Sequence, residues 1–203
     1  MAFQSPVIVQ SVRSTSPKVE LWLPQISGGS NEAADSQING TIHSAAQHLI
    51  AEQGTLEDPH AEMQGYFELK NNQKDVLSLS LFNYAYTGGA HGLTLQQSLT
   101  FKLTTGRSYA LAELFKPGSN YVVKLSALVN AQIRSRDIST LSPFKAIRPD
   151  QDFYIADRTL VLYFALYELT PYAFGFPYFP ISVYDIEDMI NENGPLGPMV
   201  VNY

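Results

Sequence analysis

The sequence predicts an α+β fold, with antiparallel sheets laid out as a meander and helices packed on them in two closely fused lobes. Three observations carry this expectation. Apolar residues alternate with polar ones in "KVELWLP" and "VLSLSLF", two other stretches repeat their apolar residues at helical spacing, and the links between neighbouring strands are short. With 203 residues, 45% hydrophobic and 16% charged, the chain can bury a sizeable core.

Residues Val7 to Val12 and Lys18 to Leu23 read as two strands separated by "STSP", with Pro24 ending the second. The period then changes. Ile38, Ile42, Ala45 and Leu49 fall on one face of a helix that Ser30 or Asn31 can cap and Gly54 can close, with Gly40 as a local weakness. Strands return in "MQGYFELK", "DVLSLSLFNYAY" and "LTLQQSLTFKL", joined by a turn at Asn71-Asn72 and by the glycine-rich "TGGAHG". Leu77, Leu79 and Leu81 face one way and Ser78 and Ser80 the other, so one face of that sheet is expected to be buried. A second helix follows in "GSNYVVKLSALVNAQIRSRD", capped by Ser119 or Asn120 and striped by Val122, Leu125, Val129 and Ile133. Two further strands, "DFYIAD" and "TLVLYFALYEL", turn near Asp157-Arg158, and "SVYDIEDMI" reads as a short last helix opening at Ser182.

The phrases "YAYTGGAHG" (Tyr84 to Gly92), Ser98 to Ile133, "DFYIADRTLVLYFALYELTPYAFG" (Asp152 to Gly175) and "FPISVYDIEDMI" (Phe179 to Ile190) stand in one order over most of the chain. Together they resemble a bacterial two-part family. Its members join a deacetylase-associated N-terminal module (DUF4163-like) to a domain of unknown function (DUF3298) shared with RsiV, the lysozyme-sensing anti-sigma factor of sigma V. The resemblance implies an N-terminal lobe over 1–100 and a C-terminal lobe over 101–203, forming one compact unit. It also implies a non-catalytic binding or sensing role in the cell envelope or spore, with a lysozyme-like protein or a glycan such as peptidoglycan as partner. The chain departs from those relatives: it shows no membrane span, no sigma-binding segment and no catalytic deacetylase domain.

Chemistry narrows the alternatives. A net charge of -6 without a Lys/Arg cluster argues against nucleic acid, and no apolar run reaches the roughly 18 residues that a span needs. "MAFQSPVIVQSVR" lacks the pattern of a secretory leader, and the absence of cysteine leaves the compartment open among envelope, spore and cytoplasm. His43 and His48 sit about 140° apart around a helix and do not converge. His60 in "LEDPH" reads as part of a solvated acidic loop, so neither a metal site nor any other cofactor is expected. No G-x-S-x-G elbow is present, and Asp185, Glu187 and Asp188 read as a solvated face.

The candidate site residues are of two kinds. Gly88, Gly89 and Gly92 are expected to shape the loop that carries His91, and His91 is paired with Glu168 as a staple between two motifs. In "PYAFGFPYFP", Tyr172, Phe174, Phe176 and Tyr178 are aromatic residues in a segment too rich in Pro and Gly to be regular strand, suited to stacking on a sugar or anchoring a protein partner. The alternative reading is an accessory glycan-processing enzyme with His91 and Glu168 as acid and base, or a glycan-binding domain.

Overall fold

The structure, a computed structural model, describes residues 6–201, and the first five residues of the leader reading lie outside that range. The chain is α+β and divides into two compact units, Met1–Ser108 and Tyr109–Tyr203.

Unit 1 is a five-stranded sheet in the order β1-β2-β3-β4-β5, with β1 Ile8–Ser16, β2 Val19–Ser27, β3 Glu62–Gln73, β4 Val76–Tyr86 and β5 Leu93–Lys102. Helix α1, Glu32–Glu52, lies between β2 and β3 in sequence. Its caps follow the sequence signals: the Asn31 side chain accepts from the Ala33 and Ala34 amides, and Gly54 takes a φ of 83° just past the end. Ile38, Ile42, Ala45, Ala46 and Leu49 pack with Leu77, Leu79 and Leu81 of β4 in one core. Burying a Leu or Ile side chain of this kind stabilises by about 1.5–3 kcal/mol.

The expected antiparallel meander is present as β3, β4 and β5, preceded by the β1–β2 hairpin, and the α1 crossover makes β2 and β3 parallel. Three expectations for this unit are corrected. Pro24 does not end β2, which runs on to Ser27; its pairing with β3 covers only Val19–Leu21, so a proline farther along interrupts no ladder on that side. The β3–β4 turn is Lys74-Asp75, with φ 52° and 64°, and not Asn71-Asn72. Those asparagines serve elsewhere, Asn71 donating to the Val76 carbonyl at 2.7 Å. Finally, both faces of β4 are buried. Ser78 meets Thr100, and Ser80 meets Ser98, hydroxyl to hydroxyl at 2.8 Å, so the polar face is satisfied across strands and needs no water.

Carboxamides stand in for a strand partner at two places. Beyond the β2–β3 ladder, Asn39 of α1 accepts from the Ile26 N–H of β2 at 2.8 Å and donates to its carbonyl at 2.9 Å, and just before β1 Asn72 does the same for Val7 at 3.2 and 2.8 Å. Each amide presents a donor and an acceptor side by side, as a neighbouring strand would.

Unit 2 holds α2, Tyr121–Ser135, and a three-stranded antiparallel sheet of β6 Phe153–Ala156, β7 Thr159–Tyr163 and β8 Tyr178–Ser182. Leu125 and Val129 are the buried part of the predicted stripe on α2, and Asn120 occupies the N-cap position without a side-chain bond. Gln132 on α2 and Arg136 at its C-cap donate to the carbonyls of Pro180 and Tyr178 at 2.8 and 2.7 Å, closing the outer edge of β8. β7 stops at Tyr163, short of the strand expected through "ALYEL", and the expected last helix is two 3-10 turns, Val183–Asp185 and Glu187–Met189. Ser182 does cap the first, accepting from the Tyr184 amide at 3.3 Å. A four-residue helix α3, Gly197–Val200, closes the described chain.

Candidate functional site

In unit 1 the loop from Thr87 to Gly92 joins β4 to β5. Gly88 and Gly89 adopt φ of 105° and 109°, a conformation that side chains disfavour. Gly92 is needed for another reason: a Cβ there would lie 2.3–2.5 Å from the Tyr84 ring. The loop is tied by its own groups, with Tyr86 donating its hydroxyl to the Gly89 carbonyl at 3.0 Å and His91 Nδ1 donating to the Gly92 carbonyl at 2.8 Å. His91 itself is exposed.

In unit 2 the aromatic segment sorts into core and surface. Tyr163, Phe164 and Phe179 are buried, with Phe164 edge-on to Phe144 and to Phe179 at 6.1 and 5.6 Å between centroids. Tyr154, Tyr163 and Tyr178 form a triangle of rings 5.9–6.3 Å apart, and Phe176 extends it to Tyr178 at 6.4 Å. Beyond β7 the chain turns through Ala165–Glu168 and a 3-10 turn at Tyr172–Phe174. There Tyr167 stacks on Tyr172 at 5.4 Å and 28°, Tyr167 being 51% and Phe174 45% exposed.

Tyr167 has a φ of 66°, a strained position for a bulky residue. Glu168 holds the turn. One carboxylate oxygen accepts from the Ala165 N–H at 2.8 Å and the other pairs with Arg148, whose second amino group meets Asp152 at 2.9 Å. Burial pushes the Asp152 carboxyl up, against the opposing pull of Arg148. Glu168 is therefore a brace with both oxygens engaged. His91 and Glu168 belong to different units, and each has these partners within its own.

Arg148 and Asp152 do not stand out in the sequence, and Tyr167 is visible there only as one member of the aromatic run from Tyr163 to Tyr184. Tyr167 adjoins Glu168 in "YELTPYA", yet no periodicity marks a left-handed tyrosine, and Arg148 lies 20 residues from the carboxylate it grips. Among the described residues no cluster of three or more His, Asp or Glu is placed to hold a metal ion, and no helix is long and apolar enough to cross a membrane.

Two family models match the two halves. Residues 112–184 match the protein of unknown function DUF3298, and residues 13–94 match the deacetylase PdaC. The chain fits a two-part DUF3298/RsiV-like family. Over 188 residues it is 27% identical to anti-sigma-V factor RsiV of Bacillus subtilis, covering 85% of this chain and 65% of that protein. It is also 20% identical over 173 residues to the peptidoglycan-N-acetylmuramic acid deacetylase PdaC of the same organism, covering 80% of this chain and 37% of PdaC. The chain thus spans just under two thirds of one curated relative and little more than a third of the other. Two crystal structures share its fold. A DUF3298 family protein of Pseudomonas aeruginosa superposes with a TM-score of 0.73 at 13% identity, covering 93% of this chain and 96% of that one. A Bacteroides fragilis member gives 0.67 at 18% identity, covering 98% and 97%.

Proposed function

We propose that this chain is a non-catalytic binding or sensing module of the bacterial cell envelope or spore, which engages its partner through the aromatic segment of unit 2. The observation that carries the reading is the braced, strained turn that presents Tyr167 and Tyr172, continued by Phe174. Rigid rings with hydroxyl handles lose little entropy on binding and suit the anchor of a protein partner. Similarity to RsiV supports a sensing role. The partner is a lysozyme-like protein, with Glu168 supporting the rim formed by Tyr172, Phe174, Phe176 and Tyr178 and with His91 as a further contact. The glycan alternative rests on the similarity to PdaC, and the engagement of both Glu168 oxygens weighs against an acid/base enzyme.

Calorimetric titration of the chain with lysozyme and, separately, with soluble peptidoglycan fragments tests this. Saturable heat with lysozyme, weakened at least about tenfold in Tyr172→Ala and Tyr167→Ala, is the expected result. Heat from fragments alone would move the function to glycan recognition, and silence from both would reject an envelope ligand of either kind.

A further inference from the structure

The face of the unit 1 sheet turned away from α1 carries a second aromatic arrangement. Because side chains alternate along strands, Glu20 and Trp22 share this face with Gln64 and Tyr66, and cross-strand partners add Arg13 beside Trp22 and Phe82 beside Tyr66. Each exposed ring is fixed from its outer side. The Trp22 indole N–H donates to Glu20 at 3.2 Å, Arg13 Nε donates to the same oxygen at 2.9 Å, and the guanidinium lies 5.7 Å over the indole. Tyr66 stacks on Phe82 at 4.8 Å with only 9° between the planes.

Arg13 is on the strand outside β2, and Phe82 is on the strand outside β3. The remaining faces of Trp22 and Tyr66, residues 41% and 44% exposed, therefore look toward the seam between β2 and β3. The β2–β3 ladder ends at Leu21–Gly65, just before the two rings. Arg13 is paired with Glu20 and Lys70 with Glu68, Glu62 adds a carboxylate to the same face, and Gln64 adds a neutral carboxamide. Burial and Glu68 push the Tyr66 phenol up, so it stays a hydroxyl donor at neutral pH.

We propose that Trp22 and Tyr66 form a two-sided aromatic slot for one pyranose ring of an uncharged glycan chain. The C–H faces of a sugar stack on the rings, and its equatorial hydroxyls meet Glu20 and Gln64. Charge selects the class. A single-stranded nucleic acid also stacks on aromatic rings, but it needs a cationic track, whereas Arg13 and Lys70 on this face are paired with Glu20 and Glu68 in a chain of net charge -6. The slot uses no residue of the unit 2 reading, so either can fail alone.

Trp22 is the single tryptophan, so its emission reports on this site directly. The intact chain is titrated with cellohexaose and with the N-acetylglucosamine hexamer, and with a single-stranded oligonucleotide as the charged comparison. A saturable change with an oligosaccharide is expected. It should persist in Tyr66→Phe and Tyr172→Ala and weaken up to about tenfold in Tyr66→Ala, with far-ultraviolet circular dichroism confirming that each variant is folded. No saturable change with either sugar, an equal response to the oligonucleotide, or undiminished binding in folded Tyr66→Ala would overturn the slot.

Discussion

Among the turns of this molecule that take a positive φ, the β4–β5 loop and the turn after β7 do so by different means. The β4–β5 loop uses Gly88 and Gly89, which lack the Cβ that makes the conformation costly. The turn after β7 uses Tyr167, for which a left-handed backbone costs about 1–2 kcal/mol. A glycine there would need no support. The tyrosine sits in a turn tied by the Ala165–Glu168 hydrogen bond and by the Glu168–Arg148–Asp152 chain of charges. Strain of this kind persists where surroundings over-determine it, and what it achieves here is the placement of an exposed ring against Tyr172. The first loop is shaped by its backbone, the second by what it presents.

The largest expected effect breaks the first loop. Gly92 is held by space and not by torsion, so Gly92→Ala drives a methyl into the Tyr84 ring and should destabilise by roughly 2–3 kcal/mol. Thermal unfolding of the variant checks this. If the double variant with Tyr84→Ala recovers most of the loss, the clash is the cause; if it recovers none, the glycine serves something other than ring clearance.

A smaller effect sharpens the contrast at the second loop. Arg148→Met leaves Glu168 and Asp152 without their shared cation and is expected to destabilise by about 1–2 kcal/mol, reduced from the buried-pair value because Arg148 is 45% exposed. Tyr167→Gly removes the strain but loses the stack, so its own stability change should be near zero. If the brace exists to hold the tyrosine, Arg148→Met costs less in the Tyr167→Gly background than alone. Strict additivity of the two would show that the ion pairs and the strained residue are unrelated.

The two loops also differ in how far sequence could reach them. Glycines at 88 and 89 announce a special backbone, as Asn31 and Gly54 announce the ends of α1 and the Leu77-Leu79-Leu81 alternation announces a core strand. Tyr167 announces nothing, because its conformation is imposed by partners distant in sequence. The same limit hides the parallel step from β2 to β3: alternation tells which face a residue takes, but not which strand lies beside it. Asn39 and Asn72 look like surface amides until the fold brings them the backbone of Ile26 on β2 and of Val7 before β1 to satisfy. Trp22 and Tyr66 were readable as strand residues, while their meeting across a seam depended on that same unpredicted pairing.

The smallest expected effect is a pH dependence confined to the braced loop. Asp152 is held above the ordinary carboxylate range mainly by burial, with the Arg148 charge and hydrogen bond opposing the rise and Asp150 adding to it. A carboxyl whose folded pKa is raised binds its proton more tightly in the fold than in the unfolded chain. Its favourable contribution is therefore complete below the unfolded value near ~3.9 and declines as pH rises through the folded one. Asp152→Asn removes that proton and should flatten this part of the stability profile, leaving the Arg148–Glu168 pair in place. Urea unfolding of both proteins from pH 4 to 7 reads the difference. A wild-type profile that gained stability relative to Asp152→Asn as pH rose through this window would mean that the Arg148 charge outweighs burial, and Asp152 would then be a stabilising member of the brace, not a desolvated carboxyl tolerated for the sake of the loop.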